Sequence, residues 1–358
     1  MPNPPPKEDT WAFQPIGAPF PDCPVKVTGE QNQYVALWYK NGKPVHGRGW
    51  NNGGVVECSF PYVIGAQKSE LTGVKDLGGQ IQILTYKGDH NSLGYWYEWI
   101  KYSQRFDKEE RQMVKCGDSM PIAYFSQNKS VTVYEGGALA NMMIVVRNTK
   151  GGPPFCECAN CPKLPPPPPT GLPPPRVMLN EWMDAKVGDA WPTRALVKAL
   201  DKTLDNTLPG ANPDQYVALW YMQGEPVMGR VWNEGGKIAA CFSWNGREFT
   251  GNVGSIQLLI QLSEHVRGFD YTWVPWKEAV VFGDDLKTFS SVYVDNQKVA
   301  ISPCVVNLGG KQILGKADIR NEKVSSGHGG KDNELVGPAC HASMVLVRRA
   351  RKGYNFDG

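Results

Sequence analysis

The sequence predicts a mainly β protein: two tandem copies of one antiparallel-β domain joined by a proline-rich linker, with an extra helix in the second copy. Three observations carry this. A 22-residue block occurs twice, and a run dense in proline lies between the two occurrences. The third is composition: 39 Gly and 29 Pro against only 20% charged residues, a mix that favours short strands and many turns over long helices. At 358 residues, 41% of them apolar, the chain is long for a single core and comfortable for two.

The repeat is explicit. Gln33–Gly54 reads QYVALWYKNGKPVHGRGWNNGG and Gln215–Gly236 reads QYVALWYMQGEPVMGRVWNEGG, identical at 16 of 22 positions with an offset of 182. Further along, GQIQIL at Gly79 matches GSIQLL at Gly254, and Tyr97-x-Trp99 matches Tyr271-x-Trp273. Met143-Ile-Val-Val-Arg147 matches Met344-Val-Leu-Val-Arg348 near the ends. The offset falls to 175 and then rises to 201. The first copy therefore has a longer loop before Gly79, and the second carries insertions around Asp284–Ser290 and Asn321–Asn333. This places the first domain at 1–152, the linker at 153–175 and the second domain at 176–358.

Within each copy, aromatic and β-branched runs bounded by turn residues mark antiparallel strands. Tyr34–Tyr39 is followed by Asn41-Gly42, a strong hairpin signal, and then by Val45–Trp50. The second copy turns at Gln223-Gly224, between Tyr216–Met222 and Val227–Trp232. Further strands are expected at Val55–Phe60, Ile81–Tyr86, Tyr95–Lys101, Val131–Tyr134 and Met142–Arg147. Their counterparts are Lys237–Phe242, Ile256–Leu262, Tyr271–Trp276, Val292–Val294 and Met344–Arg348. Leu196, Leu200 and Leu204 form an i, i+4, i+8 stripe, with Pro192 before them and Pro209-Gly210 after, which predicts a helix over Thr193–Asn206. In the linker, eleven of the 23 residues from Pro153 to Pro175 are proline. Leu164–Pro175 should adopt a semi-rigid polyproline II form, for which a spacer is favoured over a docking site for SH3, WW, EVH1 or profilin-type grooves.

Sites for chemistry are sparse. The sequence contains no phosphate-binding glycine loop, dinucleotide fingerprint, H-E-x-x-H or G-x-S-x-G. Cys116-Gly-Asp-Ser119 superficially resembles a protease nucleophile loop, but Met120-Pro121 follows it, and a turn is the favoured reading. His46 becomes Met228 in the second copy, which argues against a ligand common to both. Asp89-His90 and Glu264-His265 fall at matching places, and a loop histidine beside an exposed acid is the plain interpretation. Cys156-x-Cys-x-x-Cys161 has metal-like spacing, but zinc prefers four ligands and the linker offers three. Reduced, inert thiols are the expectation, and no metal or cofactor is assigned.

A net charge of +3 is too mild to imply a nucleic-acid partner. The N-terminus lacks a signal peptide's apolar run, and no stretch approaches the ~18 apolar residues of a membrane span. Nine scattered cysteines suit a reducing, cytosolic compartment. The shared tryptophans are expected in the cores. Arg48 and Trp50, with their counterparts Arg230 and Trp232, are the candidate partner-contacting residues, although structural use of the arginines is favoured.

The duplicated QYVALWY-x-x-G-x-PV-x-GR-x-WN-x-GG block, the MPNPPP start and the proline-rich hinge resemble the MSP fibre proteins of nematode sperm, of the second type, across essentially the whole chain. The resemblance implies a non-enzymatic accessory protein that associates with filaments of major sperm protein (MSP) and enhances their assembly. It also implies residence in the cytoplasmic cytoskeleton of the crawling cell's pseudopod and regulation by a Ser/Thr kinase and phosphatase. Thr170, set between two proline runs, is the candidate phosphosite. A weaker resemblance to DM9-type repeats, some of which bind mannose, rests on Pro44-Val-His-Gly-Arg48 and Pro226-Val-Met-Gly-Arg230. It supplies the alternative reading of a carbohydrate-binding protein.

Overall fold

Antiparallel pairing accounts for every strand ladder that the computed structural model describes, within residues 3–64, 67–125, 131–132, 142–154, 156, 158–161, 176–280, 289–292, 294–295 and 300–356. The chain forms two compact units, Met1–Lys163 and Leu164–Gly358. The polyproline segment from Leu164 and Thr170 lie outside the described residues. None of the described helices is long and apolar enough to cross a membrane.

In the first unit one sheet has the order Thr10–Pro15, Gln80–Thr85, Tyr34–Lys40, Lys43–Asn52, Val55–Ile64, Gln67–Thr72. A second sheet is built on Met142–Asn148, which pairs with Trp96–Lys101, Arg111–Met113 and Ile122–Phe125. The chain crosses between the sheets through the four-residue helix His90–Leu93. The second unit repeats the first sheet as Trp182–Lys186, Ser255–Leu259, Tyr216–Met222, Glu225–Glu234, Lys237–Trp244 and Arg247–Phe249. There the sheet continues, through Lys331–Val336 and Lys323–His328, into Lys311–Asp318, Ala300–Leu308, Met344–Ala350 and Phe269–Pro275. The extra sequence around Asn321–Asn333 is thus a hairpin that joins the two sheets into one.

The two copies share register as well as order. Trp38 faces Val45 and Val35 faces Arg48, just as Trp220 faces Val227 and Val217 faces Arg230. Both hairpins turn through two consecutive positive-φ residues, Asn41-Gly42 and Gln223-Gly224, the geometry that matches strand twist. Behind each hairpin a tryptophan meets a phenylalanine: Trp38 and Phe60 at 5.8 Å and 42°, Trp220 and Phe242 at 5.7 Å and 42°. Trp38, Trp220, Phe60 and Phe242 are buried. Trp99 and Trp273 donate their indole N–H to the carbonyls of Lys26 and Lys198, at 2.9 and 3.1 Å.

The helix expected over Thr193–Asn206 does not form. The segment is extended where it lies between two strands: Val197 N–H donates to Leu259 O at 3.0 Å, and Val217 N–H donates to Val197 O at 2.9 Å. A single 3-10 turn, Ala199–Asp201, follows, with Leu200 at φ 50°. Nor is the segment peculiar to the second copy. In the first, Val25 makes the same pair of bonds with Leu84 and Val35, at 2.9 and 3.0 Å. Three leucines four apart fit a helix stripe, but here the backbone finds partners on both sides, and that satisfies more polar groups than a short helix with frayed ends. Strands at Thr10–Pro15, Trp182–Lys186 and Gln67–Thr72, not expected from the sequence, extend the sheets.

The glycine before each repeat arginine has a steric reason. A methyl group on Gly47 would lie 2.4 Å from both Phe60 Cδ1 and the Ser59 carbonyl oxygen. On Gly229 it would lie 2.4 Å from Phe242 Cδ1 and 2.5 Å from Cys241 O. Only hydrogen leaves room for the ring beside it. Gly47→Ala and Gly229→Ala should each destabilise their own unit by about 1–3 kcal/mol through overpacking, read as a lowered midpoint in denaturant unfolding. Gly224→Ala, at a turn open to solvent, should cost about 1 kcal/mol through its positive φ alone.

Candidate functional site

Alternation along a strand puts Arg48 and Trp50 on one face of Lys43–Asn52, and Arg230 and Trp232 on one face of Glu225–Glu234. Identical residues then meet different surroundings. Arg48 is half-buried and pairs with Glu70 at 2.7 Å. The Glu70 carboxylate also accepts from Ser59, and the Ser59 hydroxyl together with Arg48 holds it below the usual carboxylate range. Arg230 is 4% exposed. It donates to Ser326 Oγ at 2.9 Å, the Gly327 carbonyl at 2.8 Å and the Leu314 carbonyl at 3.4 Å, and lies 4.0 Å from Glu248. Ser326 and Gly327 belong to the inserted hairpin, so the insertion has turned a surface arginine into an internal pin.

The tryptophans stay half-buried. Trp50 donates to Glu57 at 3.0 Å and Trp232 to Glu234 at 2.7 Å. In the second unit Arg230 and Trp232 do meet at one place, a cavity of about 230 Å³ that Glu248, His328 and residues 209–212 also line. Arg230 is a wall of that cavity, anchored by its internal bonds. Other polar groups of that cavity are engaged as well: the Trp232 indole donates to Glu234, and the Glu248 carboxylate accepts from the Gly330 N–H at 2.6 Å and from the Cys241 thiol at 3.1 Å.

His46 lies buried beneath Trp11 at 5.6 Å between ring centroids, with Nδ1 2.8 Å from Ser119 Oγ. Cys116 and Ser119 exchange backbone hydrogen bonds at 2.9 and 3.1 Å, so this segment is the tight turn its sequence suggests. A serine–histidine contact alone is not a nucleophile. The other imidazole nitrogen, Nε2, is buried without a hydrogen-bond partner, where a triad requires a carboxylate. Burial pushes the His46 pKa down to about 4.

His90, read from the sequence as a loop histidine beside an exposed acid, is instead buried in the short helix His90–Leu93. The Asp89 carboxylate does not polarise its imidazole; Asp89 caps the helix, accepting from Ser92 N at 2.8 Å and from Asn91. The buried His90 ring instead faces sulfur: Nε2 is 3.2 Å from Cys161 Sγ and 3.5 Å from Cys158 Sγ. With Cys156 these residues form one cluster, whose donor atoms all lie within 4.8 Å of one another.

Two measurements check these assignments. Arg230→Ala removes three hydrogen bonds to buried acceptors and empties the space its side chain fills, and should cost about 3 kcal/mol or more. Arg48→Ala, at a solvent-screened pair, should cost at most about 1 kcal/mol; urea titration of both variants reads the contrast. For His46, the unfolded imidazole binds a proton near pH 6.5 and the folded one only near 4. Its contribution is therefore present above pH 6.5 and is lost as the pH falls towards 4, by up to about 3 kcal/mol. His46→Met, which installs the second copy's residue, should flatten that part of the stability–pH curve.

The family model MFP2b, described as a cytosolic motility protein, matches residues 8–132 and 179–350. None of the curated proteins matches the chain. Among solved structures, the crystal structure of the nematode sperm cell motility protein MFP2B has 57% sequence identity. That match covers 97% of this chain and 99% of the other, with a TM-score of 0.89. The two matched segments coincide with the two copies of the repeat and together span most of the sequence, so this chain belongs to the MFP2b family of cytosolic motility proteins.

Proposed function

We propose that this chain is a non-enzymatic accessory protein that associates with MSP filaments in the pseudopod of the crawling nematode sperm cell and enhances their assembly. The observation that carries this reading is its 57% identity, over 97% of the chain, with a nematode sperm cell motility protein. Two further observations support it. The described residues contain no nucleophile, base and orienting acid in one place, the minimum for side-chain hydrolysis. The chain also carries two copies of one domain, and two copies allow two-point attachment.

The physics of such a protein is multivalency. When one copy holds a filament subunit, the other binds a second subunit or a neighbouring filament as an intramolecular event. Individually weak contacts then slow the loss of newly added subunits, and no nucleotide is consumed. A proline-rich linker sequence favours a set spacing over a loose tether. Phosphorylation in the linker, with Thr170 between two proline runs as candidate, would add a charge of about −1.5 to −2, through which a kinase and phosphatase could tune the spacing or the contacts.

The test is fibre growth. Added to polymerising MSP, the full-length protein should raise the elongation rate, and mannose should neither bind it nor change that rate. Saturable binding of mannosides in calorimetry, lost on changing Arg48 or Arg230 and without any effect on MSP growth, would establish the DM9-like reading instead.

A further inference from the structure

We propose that His90, Cys156, Cys158 and Cys161 bind one zinc ion, and that this site clips the chain after the last strand of the first unit to the crossover between that unit's two sheets. The proposal stands on distances first. A tetrahedral zinc with Zn–S bonds of about 2.3 Å and Zn–N bonds of about 2.0–2.1 Å sets its donor atoms about 3.5–3.8 Å apart. The His90 Nε2 distances to Cys161 and Cys158 are 3.2 and 3.5 Å, and all four donor atoms fall within 4.8 Å of one another. Small side-chain adjustments close the shell.

The donor set selects the metal. Three thiolates and one imidazole match the closed Cys3His type of structural zinc site, whereas calcium and magnesium require oxygen. Cys158-x-x-Cys161 supplies the short two-ligand turn, Cys156 the third sulfur, and the fold brings in His90 from 68 residues before Cys158. Four protein ligands leave no open position for substrate, so the site is structural. Binding displaces the thiol protons and leaves a net charge of −1 on the complex.

The surroundings are built around these four atoms. The reciprocal cap between Asp89 and Ser92 fixes the turn that carries His90. Asn91 Nδ2 lies 3.5 Å from Cys158 Sγ, and its Oδ1 accepts from Asn160 at 2.8 Å, the outer hydrogen bonding that orients ligands. Gly152 presses against the other side. A methyl group there would lie 2.7 Å from Cys161 Sγ and 2.7 and 2.8 Å from two atoms of the His90 ring. The approach to the segment is held separately: Trp96 donates to Lys150 O at 3.3 Å and Asn3 to Gly151 O at 2.8 Å.

The second unit does the same mechanical job without sulfur. Where the first copy has Asp89-His90 the second has Glu264-His265, and Arg176 and Arg351 donate to the Glu264 carbonyl at 3.0 and 2.6 Å. Arg351 also holds Asp270 through two hydrogen bonds, at 2.7 and 3.0 Å. Guanidinium groups fasten the flanking chain to that crossover; in the first unit the metal does so, its last ligand, Cys161, four residues before the proline run that begins at Pro165.

The experiment uses full-length protein purified in thiol-containing buffer without chelator. Elemental analysis should find about one zinc per chain. Exchange for cobalt should give the intense thiolate-to-metal absorption and the visible bands of a tetrahedral sulfur-rich site. Cys158→Ser/Cys161→Ser should abolish both, Cys23→Ser should change neither, and Gly152→Ala should weaken retention against a competing chelator by at least about tenfold. The cobalt spectrum needs no variant, so it remains decisive if a substituted chain folds poorly. Wild-type protein that takes up neither metal, zinc that survives loss of both cysteines, or a disulfide among the three in thiol buffer would overturn the proposal.

Discussion

The contact on which each sheet depends is a phenylalanine ring lying on a glycine of the neighbouring strand, Phe60 on Gly47 and Phe242 on Gly229. A ring this close to the backbone opposes slippage of the two strands, because sliding either by one residue would bring a side chain into the space and turn every inward residue outward. The tryptophan behind, Trp38 or Trp220, then packs against the ring at the same angle in both copies. With register fixed, the alternation of the strand sends Arg48 or Arg230 to the same face as Trp50 or Trp232. The sixteen identities of the repeat thus include the turn glycine, the glycine beneath the ring and the residues that share a face because of it.

Duplication kept this frame and changed what surrounds it. In the second unit the added hairpin of Lys323–His328 and Lys331–Val336 covers the frame's polar face. It recruits a residue already present, Arg230, which reaches Ser326 and Gly327, while the strand Lys311–Asp318 engages Gln215, which accepts from the Leu314 N–H at 2.7 Å. Burial works against the Arg230 charge and lowers its pKa, a cost tolerable only because the guanidinium has internal acceptors. The first unit instead spends Arg48 on a surface carboxylate and gathers a histidine and three cysteines at its crossover.

The antiparallel-β class, the hairpins and the strands of the repeat were legible because they are local: turn residues, alternation and an internal copy to compare. The leucine stripe at 196, 200 and 204 misled because periodicity records spacing and not hydrogen-bond partners, and the partners were two strands distant in sequence. Of the four candidate contact residues, the pattern could show that Arg48 and Arg230 are equivalent. It could not show that one is a surface residue and the other an internal one, since that depends on a hairpin nearly a hundred residues away. The cysteine motif was visible, but its fourth member was not, because nothing in Asp89-His90 announces that the ring faces sulfur. The signal that could have found it lies beyond the last strand of each copy, where the first has three cysteines and the second has Arg351. Two matching acid–histidine pairs with such different chain beside them are fastened by different chemistry.

The buried and more exposed versions of the repeat arginine give that position different sensitivities to ionic strength in the two units. The Arg48–Glu70 pair stands in solvent, where mobile ions shrink its attraction within a Debye length of about 8 Å at physiological salt. Arg230 is out of reach of those ions, and its bonds to uncharged carbonyls and a hydroxyl carry little long-range field to be screened. A cytosol that gains or loses salt therefore loosens or tightens one half of this molecule at that position while leaving the other as it was. A single inserted hairpin has thus given the two copies of one arginine opposite relations to electrolyte, the first screened by it and the second sheltered from it.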